Sequence, residues 1–222
     1  MILHHEGIQL QKGYEPLESF ALKSIEPGRA VFTTLAGDFE VSAYSTGILR
    51  LRFAAPAQPD YGILAASAEN LPLDVQPLPN GYRICSGAFT LELLNGPMRL
   101  RLLDGDRLLL QSVTDRTIEG HLRFSPFARR ADSWLVALAL GNDEPIYGLG
   151  EKWASLNRRG QRIHSWNEDA TTLNSELSYK NTPFAWSPEG WGLFTHTPAK
   201  VVHGVGYPNW SHRSYILQVF DA

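Results

Sequence analysis

From Phe39 the chain alternates between apolar and polar residues. Phe39, Val41 and Ala43 share one face of an extended segment, and after Thr46-Gly47 the pattern resumes with Leu49, Leu51 and Phe53 against Arg50 and Arg52. A period of two is what a strand with one face in a core requires, so this span predicts a pair of half-buried strands. Between Gly87 and Val113 the signal repeats. Phe89, Leu91 and Leu93 alternate with Thr90 and Glu92, Asn95-Gly96 turns the chain, Met98, Leu100 and Leu102 alternate with Arg99 and Arg101, and Asp104-Gly105 turns it again into Leu108 and Leu110. Both dipeptides favour tight hairpins, which predicts a three-strand meander.

Trp134 to Leu140 is apolar on both alternating faces and is bounded by Asp132-Ser133 and Gly141-Asn142, as expected of a strand covered on two sides. Trp191 to Thr195, Lys200 to Val205 and Ser214 to Phe220 look similar. Nineteen glycines and fourteen prolines cut the chain into pieces suited to strands rather than helices. More than ten candidate strands predict an all-β fold, a large two-sheet antiparallel β-sandwich, with residues 1–222 forming one domain. No repeat or heptad pattern is visible. Residues 150–182 are polar and aromatic without sustained periodicity, and an excursion of that kind in a compact domain is usually functional or disordered.

Charge narrows the partners. Twenty basic residues against twenty-three acidic ones, a formal net charge of -3, give no electrostatic footprint for nucleic acid. The longest apolar run, Trp134 to Leu140, is seven residues, where a membrane helix needs about 20, so no membrane partner is expected. The single cysteine, Cys85, leaves no internal disulfide and reads as a small buried hydrophobe. With no secretory signal after Met1, these features predict a cytoplasmic chain. His4-His5-Glu6 reads as a solvated terminus rather than a metal site.

Chemistry is sparse. Gly148-Leu149-Gly150 and Gly204-Val205-Gly206 are half of a dinucleotide fingerprint and read as turns, and no phosphate loop, zinc-protease or nucleophile-elbow motif occurs, so no cofactor is implied. His164, His196, His203 and His212 match no ligand spacing, and no metal site is expected. Glycoside cleavage needs two carboxyls about 5 to 9 Å apart. Glu144, Glu151, Glu168, Asp169 and Glu176 are the candidates, and none forms a convincing pair. What stands out is the density of rings and amides from Trp166 to Thr172, with Trp153, Tyr179, Trp186, Trp191 and Trp210 in the same third of the chain. Rings cover sugar C–H faces while carboxylates and amides bind hydroxyls, so this chemistry suits a carbohydrate surface. Each tryptophan taken alone reads as core; Trp166, flanked by polar residues, reads as surface.

The run Tyr147-Gly148-Leu149-Gly150-Glu151-Lys152, followed by Arg158-Arg159-Gly160, Trp166-Asn167-Glu168-Asp169, Tyr179-Lys180-Asn181-Thr182-Pro183-Phe184 and Gly190-Trp191-Gly192-Leu193-Phe194, resembles the N-terminal domain of glycoside hydrolase family 31. That family contains α-glucosidases and α-xylosidases. The resemblance implies a galactose-mutarotase-like β-sandwich, followed in the family by a (β/α)8 barrel that carries both catalytic aspartates. Nothing here resembles the family's W-x-D-M-N-E nucleophile segment, so no catalytic residue is assigned within residues 1–222. By similarity the loop within residues 150–182 reaches the barrel's sugar pocket. Asp169 matches the acidic residue offered to substrate hydroxyls and Thr171 a second polar contact, while Trp166 and Asn167 shape the loop. The implied partners are an α-glycoside substrate and the barrel. Arg158 and Arg159 read as a solvated basic turn, with pairing to the loop's carboxylates as the alternative. A free-standing carbohydrate-binding module and a mutarotase-type sugar epimerase remain as rival readings.

Overall fold

The computed structural model describes residues 3–53, 61–64, 68, 69, 71–169, 176 and 178–221. Contacts divide the chain into two compact units, Pro16–Gln111 and Met1–Glu15 with Ser112–Ala222. Apart from one helix, α1 (Leu3–Gln11), the regular elements are strands, beginning with the two-residue β1 (Glu15–Pro16). The all-β expectation holds, and hydrogen bonding distributes the strands of the described residues over four antiparallel sheets.

The unit Pro16–Gln111 contains two sheets of consecutive strands. β2 (Ala21–Glu26), β3 (Arg29–Thr34), β4 (Gly37–Ser45) and β5 (Ile48–Phe53) form the first. β6 (Asp74–Leu78), β7 (Gly81–Ser86), β8 (Phe89–Leu94), β9 (Arg99–Asp104) and β10 (Arg107–Gln111) form the second, so the expected meander is real and has two further strands before it. Asn95-Gly96 and Asp104-Gly105 sit at the β8–β9 and β9–β10 turns. Phe32 and Phe39, side by side on β3 and β4, stack with centroids 5.0 Å apart, and Phe32 meets Tyr82 of the second sheet edge-on at 5.3 Å. These rings are the seam of the unit's core, each worth roughly 1.5–3 kcal/mol in burial.

In the other unit β11 (Phe127–Arg130), β12 (Ser133–Ala139), β13 (Tyr147–Gly148), β14 (Gln161–Ser165), β15 (Phe184–Ser187), β16 (Trp191–Phe194), β17 (Val201–Val205) and β18 (Ser214–Val219) follow in chain order. The six-stranded sheet runs β1-β11-β12-β18-β17-β14, and a three-stranded sheet runs β13-β15-β16. Central β12 is the run that is apolar on both faces: Leu135 and Ala137 lie in the core with Ile216, Val113, Phe124 and Ala128. His4-His5-Glu6, read as a solvated terminus, falls within the helix, where Glu6 is exposed, and further along Leu10, Tyr14 and Trp210 pack against that same cluster. Buried Gly7 permits the approach, since a Cβ there would stand 3.2 Å from the Trp210 carbonyl oxygen.

Candidate functional site

β14 is the edge strand from which the polar, aromatic excursion departs. Ile163 and Ser165 alternate inward along it, and at Trp166 the alternation ends. The chain leaves through Trp166, Asn167, Glu168 and Asp169, all four exposed, and returns through Glu176 and residues 178–181 before entering β15. The two legs are joined at their base. His164 N–H donates to the Glu176 carbonyl at 3.1 Å, Glu168 N–H donates to the Ser178 carbonyl at 3.1 Å, and Asn167 and Ser178 form a parallel bridge.

Side chains close this neck further. The Asn181 amide donates to the Trp166 carbonyl at 2.9 Å, to Asn167 Oδ1 at 2.8 Å and to the Ser178 carbonyl at 2.8 Å. Asn167 Oδ1 also accepts from the Asn181 backbone N–H at 3.2 Å. Asn167 therefore spends its side chain on bracing the neck. Glu176 receives Arg162 Nη2 on both oxygens, at 3.1 and 3.2 Å, with His164 Nε2 at 3.6 Å. Arg162 in turn lies 5.4 Å from the centroid of the Tyr207 ring.

The half-buried Lys152 ammonium sits where the legs meet. It donates to the His164 carbonyl at 3.0 Å, the Glu176 carbonyl at 3.2 Å, Ser178 Oγ at 2.9 Å and Asn181 Oδ1. Desolvation and the charge of Arg158 push its pKa down to about 8. Lys152 is held in place by the turn before it. Gly148, Leu149 and Gly150 all have positive φ, and a Cβ at Gly150 would stand 2.2 Å from the Lys180 carbonyl oxygen, so only glycine lets Glu151 N–H reach that oxygen at 2.9 Å. Arg158 is 3% exposed and donates to the carbonyls of Gly148, Gly150 and Ser155 at 2.9, 2.8 and 3.0 Å.

Arg158 and Arg159 are thus neither a solvated turn nor partners of carboxylates. Arg159 donates to the carbonyls of Glu144 and His212, at 3.1 and 2.9 Å, and both guanidiniums satisfy backbone oxygens that the folded turn turns away from water. The tryptophans divide. Trp191 is 4% exposed and gives its indole N–H to Glu144 Oε1 at 2.8 Å, as a core ring would, whereas Trp153 is 71% exposed and Trp186 lies open against Tyr147 at 4.9 Å between centroids. Trp166, read as a surface ring, is 44% exposed. Thr171 lies outside the described residues.

Beneath the neck Ser165 Oγ is 3.0 Å from His203 Nε2, and His203 Nδ1 is 2.8 Å from the Tyr215 hydroxyl. Burial first, and the nearby Lys152 and His164 second, push His203 down to about 3, so it is neutral and structural. Among the described residues no three His, Cys, Asp or Glu side chains converge as metal ligands. Lys152 and Asn181 belong to the quoted motifs, yet their role was not legible there, because four of the Lys152 and Asn181 acceptors are backbone carbonyls.

Residues 38–202, which include the Gly-Leu-Gly turn and β14, match the family model for the glycosyl hydrolase 31 N-terminal galactose mutarotase-like domain. The chain belongs to that family. Its members in solved enzymes share the fold. A glycoside hydrolase family 31 dextranase from Flavobacterium johnsoniae superimposes with a TM-score of 0.77 at 22% identity, covering 93% of this chain and 25% of the dextranase. A family 31 α-xylosidase from a soil metagenome gives 0.64 at 19% identity, covering 90% of this chain and 30% of that one. Among curated proteins, an α-xylosidase of Emericella nidulans is 44% identical over 75 residues and an α-xylosidase of Lactiplantibacillus pentosus is 42% identical over 72. Those stretches are 34% and 32% of this chain and only 10% and 9% of the two relatives. Among the described residues no helix is long and apolar enough to cross a membrane.

Proposed function

We propose that this chain is the noncatalytic N-terminal domain of a retaining α-glycosidase, packed on a (β/α)8 barrel whose sugar pocket it completes. The braced neck that leaves Trp166 and Asp169 exposed carries the reading. Anchoring both legs of a loop removes the entropy that a free segment loses on binding, so its carboxylate meets a substrate already in place. Asp169 accepts hydrogen bonds from two sugar hydroxyls, Thr171 adds a polar contact, Trp166 covers a ring face and Asn167 holds the loop's base. The carboxylates that do the double displacement belong to the barrel. α-Xylosides are the first substrates to try, since both curated relatives are named for that activity.

The test is Asp169→Ala in the full-length protein, assayed on p-nitrophenyl α-D-xylopyranoside and the matching glucopyranoside. Losing hydrogen bonds to a charged acceptor costs about 1.5–3 kcal/mol each, so kcat/KM falls roughly a hundredfold or more. The melting temperature stays within a degree or two, because Asp169 is exposed. An unchanged kcat/KM sinks the assignment. The exposed rings Trp153 and Trp186 favour one rival, a binding module that grips sugar unaided. Millimolar or tighter binding of a xylo-oligosaccharide by residues 1–222 alone would support that rival.

A further inference from the structure

Lys152 is an unusual cation. An ammonium offers three N–H donors, and here it faces four oxygens: the carbonyls of His164 and Glu176, Ser178 Oγ and Asn181 Oδ1. None is a carboxylate. The Glu176 carboxylate beside it is turned to Arg162 and His164. Among the described residues no carboxylate pairs with Lys152; a half-buried charge without a counterion is expensive, and an apolar side chain could fill the same volume. It would also leave two carbonyls, a hydroxyl and an amide oxygen short of a donor. The arrangement therefore makes sense as a joint: one atom, Nζ, ties the end of β14 on the outgoing leg to Glu176, Ser178 and Asn181 on the returning one.

The joint is anchored from behind. Arg158 holds the carbonyls of Gly148 and Gly150 at 2.9 and 2.8 Å, so the backbone that carries Lys152 is fixed independently of the loop, and Glu151 N–H ties the returning leg to it at the Lys180 carbonyl, 2.9 Å away. The loop must follow the lysine. Both exits toward Trp166–Asp169 and from Ser178 are within one or two residues of a Lys152 acceptor.

We infer that Lys152 is a positioning residue for sugar binding: its ammonium, seated in four neutral oxygens, fixes the neck and thereby the direction in which Asp169 is offered. This rests on the reading proposed above. Several charged or titratable groups bear on it. Arg158 repels it, the His164 imidazole stands over Glu176, Glu176 is paired with Arg162, Lys200 acts on His164, Glu151 and Lys180 face each other at 3.5 Å, and His203 beneath is buried and neutral. A deprotonated amine has two donors and a lone pair that opposes an oxygen, so the neck loosens as pH rises through about 8.

The experiment is a double-mutant cycle on the full-length protein with the same two p-nitrophenyl glycosides. Lys152→Met lowers kcat/KM ten- to hundredfold, mostly through KM, and Lys152→Met with Asp169→Ala is no worse than Asp169→Ala alone. In the wild type kcat/KM declines above pH 8, and that limb is absent from Lys152→Met. If Asp169→Ala is itself silent, the underlying reading fails whatever Lys152 does. If Asp169→Ala is impaired while Lys152→Met is silent, or the two losses multiply, Lys152 does not act through the loop and the inference is overturned. Should Lys152→Met not fold, Ser178→Ala takes its place, since it removes one oxygen and keeps the rest. Less support for the charge moves the alkaline limb to lower pH, and an unmoved limb overturns the inference equally.

Discussion

Arg158 forks around Leu149: Nε donates to the carbonyl before it, that of Gly148, at 2.9 Å, and Nη2 to the carbonyl after it, that of Gly150, at 2.8 Å. Leu149 is a buried residue with a φ of 64°, between two glycines that are also left-handed. A leucine pays about 1–2 kcal/mol for that conformation, and the flanking carbonyls, facing one way, need a donor with a fixed fork. Sequence, turn and guanidinium form one unit, and its product is a rigid base for Lys152.

Replacing Arg158 by Met therefore leaves the carbonyls of Gly148 and Gly150 without the guanidinium, while the exposed Ser155 carbonyl keeps Gln161 Nε2 at 3.1 Å. At about 1–3 kcal/mol for each unsatisfied acceptor, the loss is about 2 kcal/mol or more. Urea unfolding would show it as a lower midpoint with an unchanged slope. A loss under 1 kcal/mol would mean that water replaces the guanidinium.

Two glycines of the same segment separate backbone conformation from crowding. Gly160, at φ +86°, has open space where a Cβ would go, whereas Gly150, at φ +79°, has the Lys180 carbonyl oxygen at 2.2 Å. Gly160→Ala should cost about 1 kcal/mol, the ordinary strain of a left-handed alanine, and Gly150→Ala several times that. Equal costs for the two variants would contradict the close approach of residues 180–182 to the turn.

His203 makes stability depend on acid. Its pKa is lowered from 6.5 to about 3 in the folded chain, so as pH falls below 6.5 the unfolded chain takes up a proton that the native one refuses. Stability is fully present above 6.5 and declines by about 1.4 kcal/mol per pH unit on the way down to about 3. His203→Gln removes that slope at the expense of some stability at neutral pH. Parallel pH profiles of the urea midpoint for the two proteins would refute the assignment.

In the other unit Glu92 of β8 lies opposite Arg83 of β7 and Arg101 of β9, and accepts from both at 2.7 Å. The carboxylate is buried and the two guanidiniums are nearly half exposed. Glu92→Gln keeps the shape and removes the charge that the two arginines share. A loss of about 1–2 kcal/mol is expected, below the cost of breaking a fully buried pair because water screens both arginines. Thermal or urea unfolding of the purified chain decides it, and a neutral substitution would reduce the triad to a surface feature.

The strands were legible where their information is local. Alternation at Phe39–Ala43 and the Asn95-Gly96 and Asp104-Gly105 turns each lie within a few residues, and the two-faced apolarity of Trp134–Leu140 reflects neighbours on both sides of β12. The helix at residues 3–11 was not legible. Gly7 weakens its local propensity, and it is stabilised by Leu10 packing on residues more than a hundred positions away. The family and the exposed Trp166 could be read from motifs. The bracing of the site could not, because Lys152, Arg158 and Arg159 bind backbone oxygens, and a carbonyl is the same at every position of a sequence. Glu176, a candidate catalytic carboxyl by residue type, is an ion-pair partner of Arg162 by geometry.

Among the described residues the contacts that close the neck are made by residues 152, 162, 164, 166–168, 176, 178 and 181. Residues 170–175 lie beyond that clasp in the chain. The clasp thus fixes the two points of the chain between which that stretch of sequence is strung, and a change in its residues is registered against the same two anchors.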